Sequence, residues 1–286
     1  MGLYSRSAIN VPALGRSSTS RPFVHELVWV FILPSLVLIG LLGLPLLSLF
    51  VKAVGKGFFT SAFSPVSLSA LKISLLTSTT STLLVIITGT PLAFILARWK
   101  FRGRSAVEVL VDLPLVLPPS VAGLALLIAF GRQGIFGGWL SRVGISLPFT
   151  TTAVILAQAF VSAPLFVRSA RVGFMGIDRQ VEEAATVEGA NEWQLFRFLM
   201  LPLAGRALLT GLVLAWTRAL GEFGATIMFA GNLVGKTQTM PLAIYLGFES
   251  GLGVAIALAV FLILVSIVLL GVMRRLEQDG KADTYL

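Results

Sequence analysis

Two ionisable residues lie within an otherwise apolar run towards the carboxyl-terminal end of the chain. Arg218 and Glu222 are spaced i to i+4, so a helix would place them on one face, where they can pair. Ionisable groups inside membrane helices usually face a bundle interior or a water-filled cavity. The pair therefore has two open interpretations. It could fix helix packing, or Arg218 could attract an anion into a pathway while Glu222 holds its side chain in place.

A second candidate is the segment from Ala230 to Thr237, which satisfies a loose phosphate-loop pattern with alanine in the first glycine position. A true phosphate-binding loop follows a strand and opens a helix. This segment instead follows a long apolar run, so we expect no ATP site there. The chain has no cysteine and one histidine, His25. Thiol chemistry is therefore excluded, and no metal or catalytic histidine site is expected.

The elements that carry these residues are apolar runs of membrane-spanning length. The composition is 56% hydrophobic and only 12% charged, with a mean hydropathy of +0.92, whereas soluble domains have about 25% charged residues. A membrane helix needs roughly 20 mostly apolar residues. Six runs qualify: 27–51, 71–97, 109–130, 151–168, 206–230 and 250–272. The sequence therefore predicts an all-α polytopic membrane protein with six transmembrane helices.

The distribution of basic residues predicts the orientation of these helices. Most of the 22 Lys and Arg residues fall on the side that holds both termini and the segment 178–202. Because cytoplasmic loops are enriched in Lys and Arg, this side is predicted to be cytoplasmic. The net charge of +9 is then a topology signal, and no nucleic-acid partner is expected. We divide the chain into a flexible cytoplasmic segment (1–26), a six-span membrane domain (27–272) and a cytoplasmic tail (273–286).

The segment 178–202 has the capping residues of two short helices. Asp178 can cap a helix over 179–188, and Gly189 suits the left-handed position that follows a helix. Asn191 and Gln194 have capping-box spacing at the start of a second helix, which we expect Pro202 to end. Both helices should lie at the membrane surface. The alternative is an amphipathic interfacial segment that only bridges the fourth and fifth spans.

Seven residues of this segment match the "EAA" motif of bacterial-type ABC importer permeases: Glu183, Ala184, Ala185, Gly189, Leu199, Leu201 and Pro202. The resemblance implies the MetI-like fold of type I importers. It also implies that 178–202 is a coupling loop, which docks into an ATP-binding subunit and transmits its closure to the pore. Related permeases usually carry an apolar residue where Glu188 stands, which leaves the packing of this turn open.

The segments Arg218–Thr226 and Lys236–Tyr245 resemble permeases for tetrahedral oxyanions, and molybdate permeases most closely. The resemblance implies the permease subunit of an ATP-driven molybdate importer in the cytoplasmic membrane, with tungstate and sulfate as alternative cargoes. It further implies a second copy of the chain, a cytoplasmic ATPase dimer that holds ATP and Mg²⁺, and an extracytoplasmic oxyanion-binding protein. This chain itself should be no enzyme and should hold no cofactor or metal.

Two other classes stay open from the residues alone. A stand-alone channel or secondary transporter would work without an ATPase and would need further ionisable groups within the spans. An intramembrane enzyme would need a catalytic constellation there, yet Glu108 and Asp112 lie near a cytoplasmic end. The enzyme class is therefore the weakest of the alternatives.

Overall fold

The computed structural model describes residues 23–55 and 57–282, and all regular secondary structure in this range is helical. The predicted flexible segment 1–26 lies almost entirely outside the described residues. The helices are α1 (Phe23–Ala53), α2 (Phe58–Ala62), α3 (Pro65–Arg98), α4 (Arg104–Val116), α5 (Pro119–Phe130), α6 (Gly137–Arg142), α7 (Thr151–Met175), α8 (Arg179–Val187), α9 (Glu192–Gln194), a π-helical turn (Leu195–Met200), α10 (Leu201–Leu203), α11 (Gly205–Leu220), α12 (Gly224–Ala230), α13 (Met240–Ser250) and α14 (Leu252–Ala282).

The chain divides into two compact units, 1–48 and 49–286. In the first unit, the described part is a single helix, which exposes its Leu, Ile and Val side chains between Val30 and Leu47. Pro34 and Pro45 lie within this helix without ending it. Such an apolar surface is the one expected of a membrane helix.

Four helical stretches of the described chain are long and apolar enough to cross a membrane singly: Val30–Ala53, Pro65–Arg98, Thr151–Met175 and Leu252–Arg275. Two bent helix pairs raise the number to six, since each pair is apolar enough to count as one broken span. The bend is 119° between α4 and α5, and 68° between Glu192–Leu203 and α11. The all-α architecture with up to six spans is therefore confirmed.

Two of the six predicted apolar runs are broken rather than continuous, and the helix pair that qualifies as the fifth span, 192–220, begins and ends earlier than the predicted run 206–230. The run 109–130 is divided at Leu117, which is extended because the following proline disfavours the helical conformation. Pro119 then occupies the first turn of α5, where its missing N–H costs little. The run 206–230 stops at Leu220 and resumes at Gly224 as α12.

Helix α7 lies at the centre of the second unit and packs against α3, α4, α5, α11 and α12. Glycines allow the close approach. A Cβ atom on Gly89 would lie 2.9 Å from the Phe166 ring, and one on Gly173 would lie 2.5 Å from Ala207 Cβ. Small residues have this role between membrane helices, because lipid provides no hydrophobic driving force for helix association and close packing must supply it.

The last helix does not end at the predicted domain boundary. Helix α14 continues from Leu252 to Ala282, so residues 273–282 of the predicted tail are helical.

Candidate functional site

The first half of segment 178–202, which we call the coupling loop after its predicted role, has the predicted conformation. The Asp178 carboxylate accepts a hydrogen bond from the Gln180 N–H at 3.0 Å and caps α8. Gly189 has a φ of +93°. Its N–H donates to the Thr186 carbonyl at 3.0 Å, and the Ala190 N–H donates to the Ala185 carbonyl at 3.0 Å. These two bonds form a Schellman motif, which pairs carbonyls that the end of a helix leaves free.

The second half of the loop begins as predicted and ends differently. Asn191 and Gln194 form a reciprocal capping box, with both side-chain-to-backbone distances at 2.9 Å. The prediction that Pro202 ends the second helix is wrong. The chain forms the π-helical turn and continues through α10, with Pro202 in the first turn of α10, where the missing N–H is tolerated. The bend follows at Ala204.

One largely buried arginine at the end of α3 contacts the loop. The Arg98 guanidinium lies 2.5 Å from the Glu182 carboxylate and donates to the Ile177 carbonyl at 3.1 Å. Only 11% of the Arg98 side chain is exposed. Glu182 on the loop and Ile177 just before it are therefore held by one side chain of the neighbouring span, a contact that the sequence motif does not reveal.

An aromatic cluster supports the second half of the loop. The Phe196 ring lies 5.0 Å from Phe94 and 5.9 Å from Trp193, measured between ring centroids. These rings line an open groove of about 780 Å³, and its charged lining residues include Arg98, Glu182, Glu183 and Glu192. The groove beside the loop is thus lined by both aromatic and charged side chains.

The seven motif residues divide between the surface and the support of the loop. Glu183, Ala184, Gly189 and Pro202 are exposed, whereas Ala185, Leu199 and Leu201 are half-buried. Glu188, the departure from the motif, caps the end of α8 with an exposed side chain. The neighbouring Val187 is 89% exposed, and Trp193 is 64% exposed. The outer surface of the loop is therefore apolar as well as acidic.

The predicted ion pair forms at the break in the fifth span. The Arg218 guanidinium donates to one oxygen of the Glu222 carboxylate at 2.5 Å, and the Ala225 N–H donates to the other oxygen at 2.8 Å. The Glu222 side chain is 1% exposed, whereas that of Arg218 is 31% exposed. Glu222 is thus buried and satisfied by hydrogen bonds, and Arg218 keeps an accessible face.

That accessible face lies on a cavity of about 430 Å³, which Pro119, Ser120, Phe223 and Gly224 also line. Helices α5 and α12 meet at the edge of this cavity. A Cβ atom on Gly224 would lie 2.6 Å from Pro119 Cβ, so no side chain fits there. The two broken spans therefore converge on Arg218, an arrangement that the sequence did not predict.

Backbone N–H groups at the end of the phosphate-loop-like segment are used within the loop itself. The N–H groups of Lys236, Thr237 and Gln238 all donate to the Leu233 carbonyl, at 2.9 to 3.1 Å. In a phosphate-binding loop such N–H groups would point at the ligand. The next helix, α13, begins only at Met240. The expectation of no ATP site in this segment agrees with its hydrogen bonding. In addition, the described residues contain no group of three or more His, Asp or Glu side chains that could hold a metal ion.

The described chain forms a MetI-like helical bundle with broken spans, and a capped helical loop lies between its fourth and fifth spans. This arrangement defines the class of the protein as an ABC importer permease. Residues 89–280 match the family described as "Binding-protein-dependent transport system inner membrane component". The chain belongs to this family, whose members are transport subunits and not enzymes.

Individual relatives and a solved structure agree with this assignment. The chain is 40% identical over 248 residues to the molybdenum transport system permease protein ModB of Mycobacterium tuberculosis, covering 86% of this chain and 94% of that relative. It is 38% identical over 236 residues to the probable transport system permease protein NifC of Clostridium pasteurianum, covering 82% of each. A bacterial alginate ABC transporter, solved with a periplasmic protein bound to an alginate pentasaccharide, has a chain with the same fold. The TM-score is 0.71 at 20% identity, over 90% of this chain and 96% of that chain.

Proposed function

We propose that this chain is the molybdate-translocating permease subunit of an ATP-driven importer. Two copies would form the pore in the cytoplasmic membrane, a separate ATPase dimer would drive it, and an extracytoplasmic binding protein would deliver the oxyanion. The similarity to ModB supports molybdate as the cargo, and tungstate and sulfate are the alternatives within the same family. ATP and Mg²⁺ would be held by the ATPase subunits.

The coupling loop is the feature that carries this proposal. A docking element must present a stable outer surface, and the loop has capped helices, a Schellman turn and exposed Val187 and Trp193. It must also be attached to the spans, which Arg98 and the aromatic cluster accomplish. A loop that only bridged two spans would need neither feature. We therefore assign Glu183 to Pro202 as the ATPase-docking segment, and we assign residues 27–272 to the permease domain.

The orientation follows from the same role. Most Lys and Arg residues lie on the side of the coupling loop, and this side is cytoplasmic by the positive-inside rule. Both termini then lie in the cytoplasm, where ATP is available.

We further propose that Arg218 lines the anion pathway. Its guanidinium is held by Glu222 yet still faces a cavity where two broken spans meet. In transporters, half-helices of this kind often surround the substrate site. Glu222 would repel an oxyanion, so we assign it a holding role only.

Uptake by the reconstituted complex tests the cargo. The permease, its ATPase and the binding protein are placed in proteoliposomes, and the uptake of labelled molybdate is measured with and without ATP. We expect ATP-dependent uptake that tungstate inhibits and that excess sulfate inhibits weakly. Competition by sulfate equal to that by molybdate would reassign the cargo. Uptake without ATPase subunits would favour a stand-alone channel or secondary transporter.

Paired substitutions test Arg218. Arg218→Gln alone would leave the Glu222 carboxylate buried without its partner, which is strongly destabilising. The double variant Arg218→Gln/Glu222→Gln removes both charges, so assembly should survive while molybdate uptake falls. Arg218→Lys keeps the positive charge and should retain more uptake. Normal assembly together with normal uptake in the double variant would contradict the pathway role.

A further inference from the structure

Four charged side chains connect α4 to the end of α7. The Glu108 carboxylate lies 3.0 Å from the Arg171 guanidinium, and the Asp112 carboxylate lies 2.6 Å from that of Arg168. Arg104 adds a contact of 2.8 Å to Glu108 within α4. The acidic residues are one turn apart on α4, and the basic residues are one turn apart on α7. They form two parallel rungs, which we call the α4–α7 ladder (Glu108, Asp112, Arg168 and Arg171).

One end of the ladder leads directly to the coupling loop. Helix α7 continues unbroken from Arg168 and Arg171 to Met175, and Asp178 then caps α8. The distance along the chain from Arg171 to Asp178 is only about two helical turns. Between them, Ile177 is held by Arg98. A displacement of the loop therefore reaches the basic side of the ladder through a short segment, which is helical as far as Met175.

The other end of the ladder leads to the Arg218 cavity. Helix α4 ends at Val116, about one turn beyond Asp112, and the chain bends by 119° into α5. The first turn of α5 lies against Gly224 without space for a side chain. A displacement of α4 must therefore move Pro119 and Ser120, which line the cavity.

Beyond the ladder, Val107 and Val111 of α4 pack against the core, and Pro114 is buried, while the rest of the helix surface is open. Val109, Leu110, Leu113 and Val116 are between 44% and 83% exposed. The polar contacts described for α4 with α7 are the ladder rungs. The ladder is therefore the polar connection through which α7 can direct α4.

We propose that the ladder residues are positioning residues that carry movement of the coupling loop to the α4–α5 bend and hence to the Arg218 cavity. This inference rests on the proposed function, because it assigns a route to the coupling between ATPase and pore. It predicts that breaking a rung uncouples transport from ATP hydrolysis without disturbing the docking of the ATPase. Substitutions within coupling networks typically change coupling several-fold to about thirtyfold.

The test compares transport and hydrolysis in the reconstituted complex. We expect Asp112→Asn and Glu108→Gln each to lower molybdate uptake per ATP hydrolysed by about tenfold, while the affinity for the ATPase stays within about twofold of wild type. Lys100→Gln is the matched control, since Lys100 is exposed close to α4 and forms no ion pair among the described residues. It should leave uptake per ATP unchanged.

A charge exchange separates coupling from simple folding. Asp112→Arg/Arg168→Asp restores a rung with its polarity reversed, and it should recover most of the coupling that Asp112→Asn loses. Two outcomes would overturn the ladder: coupling that stays at the wild-type level in both single variants, or an exchange variant that assembles yet stays as uncoupled as Asp112→Asn. A wild-type complex that takes up no oxyanion would instead overturn the proposed function.

Spin labels give a readout that does not depend on transport. The chain has no cysteine, so Val116→Cys and Gln180→Cys can be labelled without background at two exposed positions, both outside the docking segment Glu183 to Pro202. If the ladder links the loop to the bend, the label-to-label distance within a protomer stays narrow through the ATP cycle. It should broaden when Asp112→Asn is added. An equally narrow distribution in that variant would contradict the link.

Discussion

The Schellman turn of the coupling loop offers a clean perturbation, because Gly189 is required for its backbone alone. A Cβ atom added there would meet no atom within 4 Å. The φ of +93° is nevertheless unfavourable for any residue with a side chain. A left-handed conformation costs an L-residue about 1–2 kcal/mol, so Gly189→Ala should destabilise the turn by about that amount.

The cost should appear in docking of the ATPase. A difference of about 1–2 kcal/mol changes an equilibrium constant roughly five- to thirtyfold, so the dissociation constant for the ATPase should rise within that range. Titration of labelled ATPase onto permease in nanodiscs measures it. Gly205→Ala is the matched control, because a Cβ there also meets nothing within 4 Å while the backbone is helical.

Equal affinities in the two alanine variants would refute this account of the turn. Gly189→Asn adds an internal check, since asparagine visits the left-handed region more readily than alanine. Its effect should therefore lie between those of glycine and alanine. A stronger effect for asparagine than for alanine would indicate that space, rather than backbone conformation, limits the position.

Three further outcomes follow from named contacts. Arg98→Gln removes the contacts to Glu182 and to the Ile177 carbonyl, so the permease should lose about 1–3 kcal/mol of stability, measured as a lower Tm. Gly224→Ala places a Cβ 2.6 Å from Pro119 Cβ, so overpacking should lower the stability of the permease by about 1–3 kcal/mol. In Gly221→Ala the new Cβ has its nearest contact at 3.6 Å. This control variant should assemble normally in size-exclusion chromatography. Glu222→Gln leaves Arg218 without its carboxylate partner, so the Tm should fall. The decrease should be smaller than for a fully buried ion pair, because Arg218 is partly exposed.

The parts of the fold that local chemistry determines were predictable from the sequence. Asp178, Gly189, Asn191 and Gln194 act within one turn of their partners, so their types and spacing predicted both caps and the turn. The pairing of Arg218 is equally local, at i to i+4. The hydrophobic runs located the spans for the same reason, since each helix carries its own signal along the chain.

The geometry of the broken spans depends on contacts between distant segments. Pro91 and Pro164 lie inside continuous helices, whereas Pro118 stands at a bend of 119°, so proline alone does not predict a break. The direction of the bend is fixed by the packing of Pro119 on Gly224, which lies far along the chain. For the same reason, the sequence offered a cavity beside Arg218 as one interpretation but did not show which segments line it.

The π-helical turn Leu195–Met200 restricts where related sequences can gain or lose residues. A π-helical turn contains one more residue than the α-helical turn it replaces. Deletion of one residue there would restore an ordinary helix, but each residue rotates a helix by about 100°, so the faces of α10 and α11 would turn away from their present neighbours. Arg218 lies on α11 and would leave its cavity. Insertions and deletions of single residues are therefore expected to be absent between the motif glycine and the charged break.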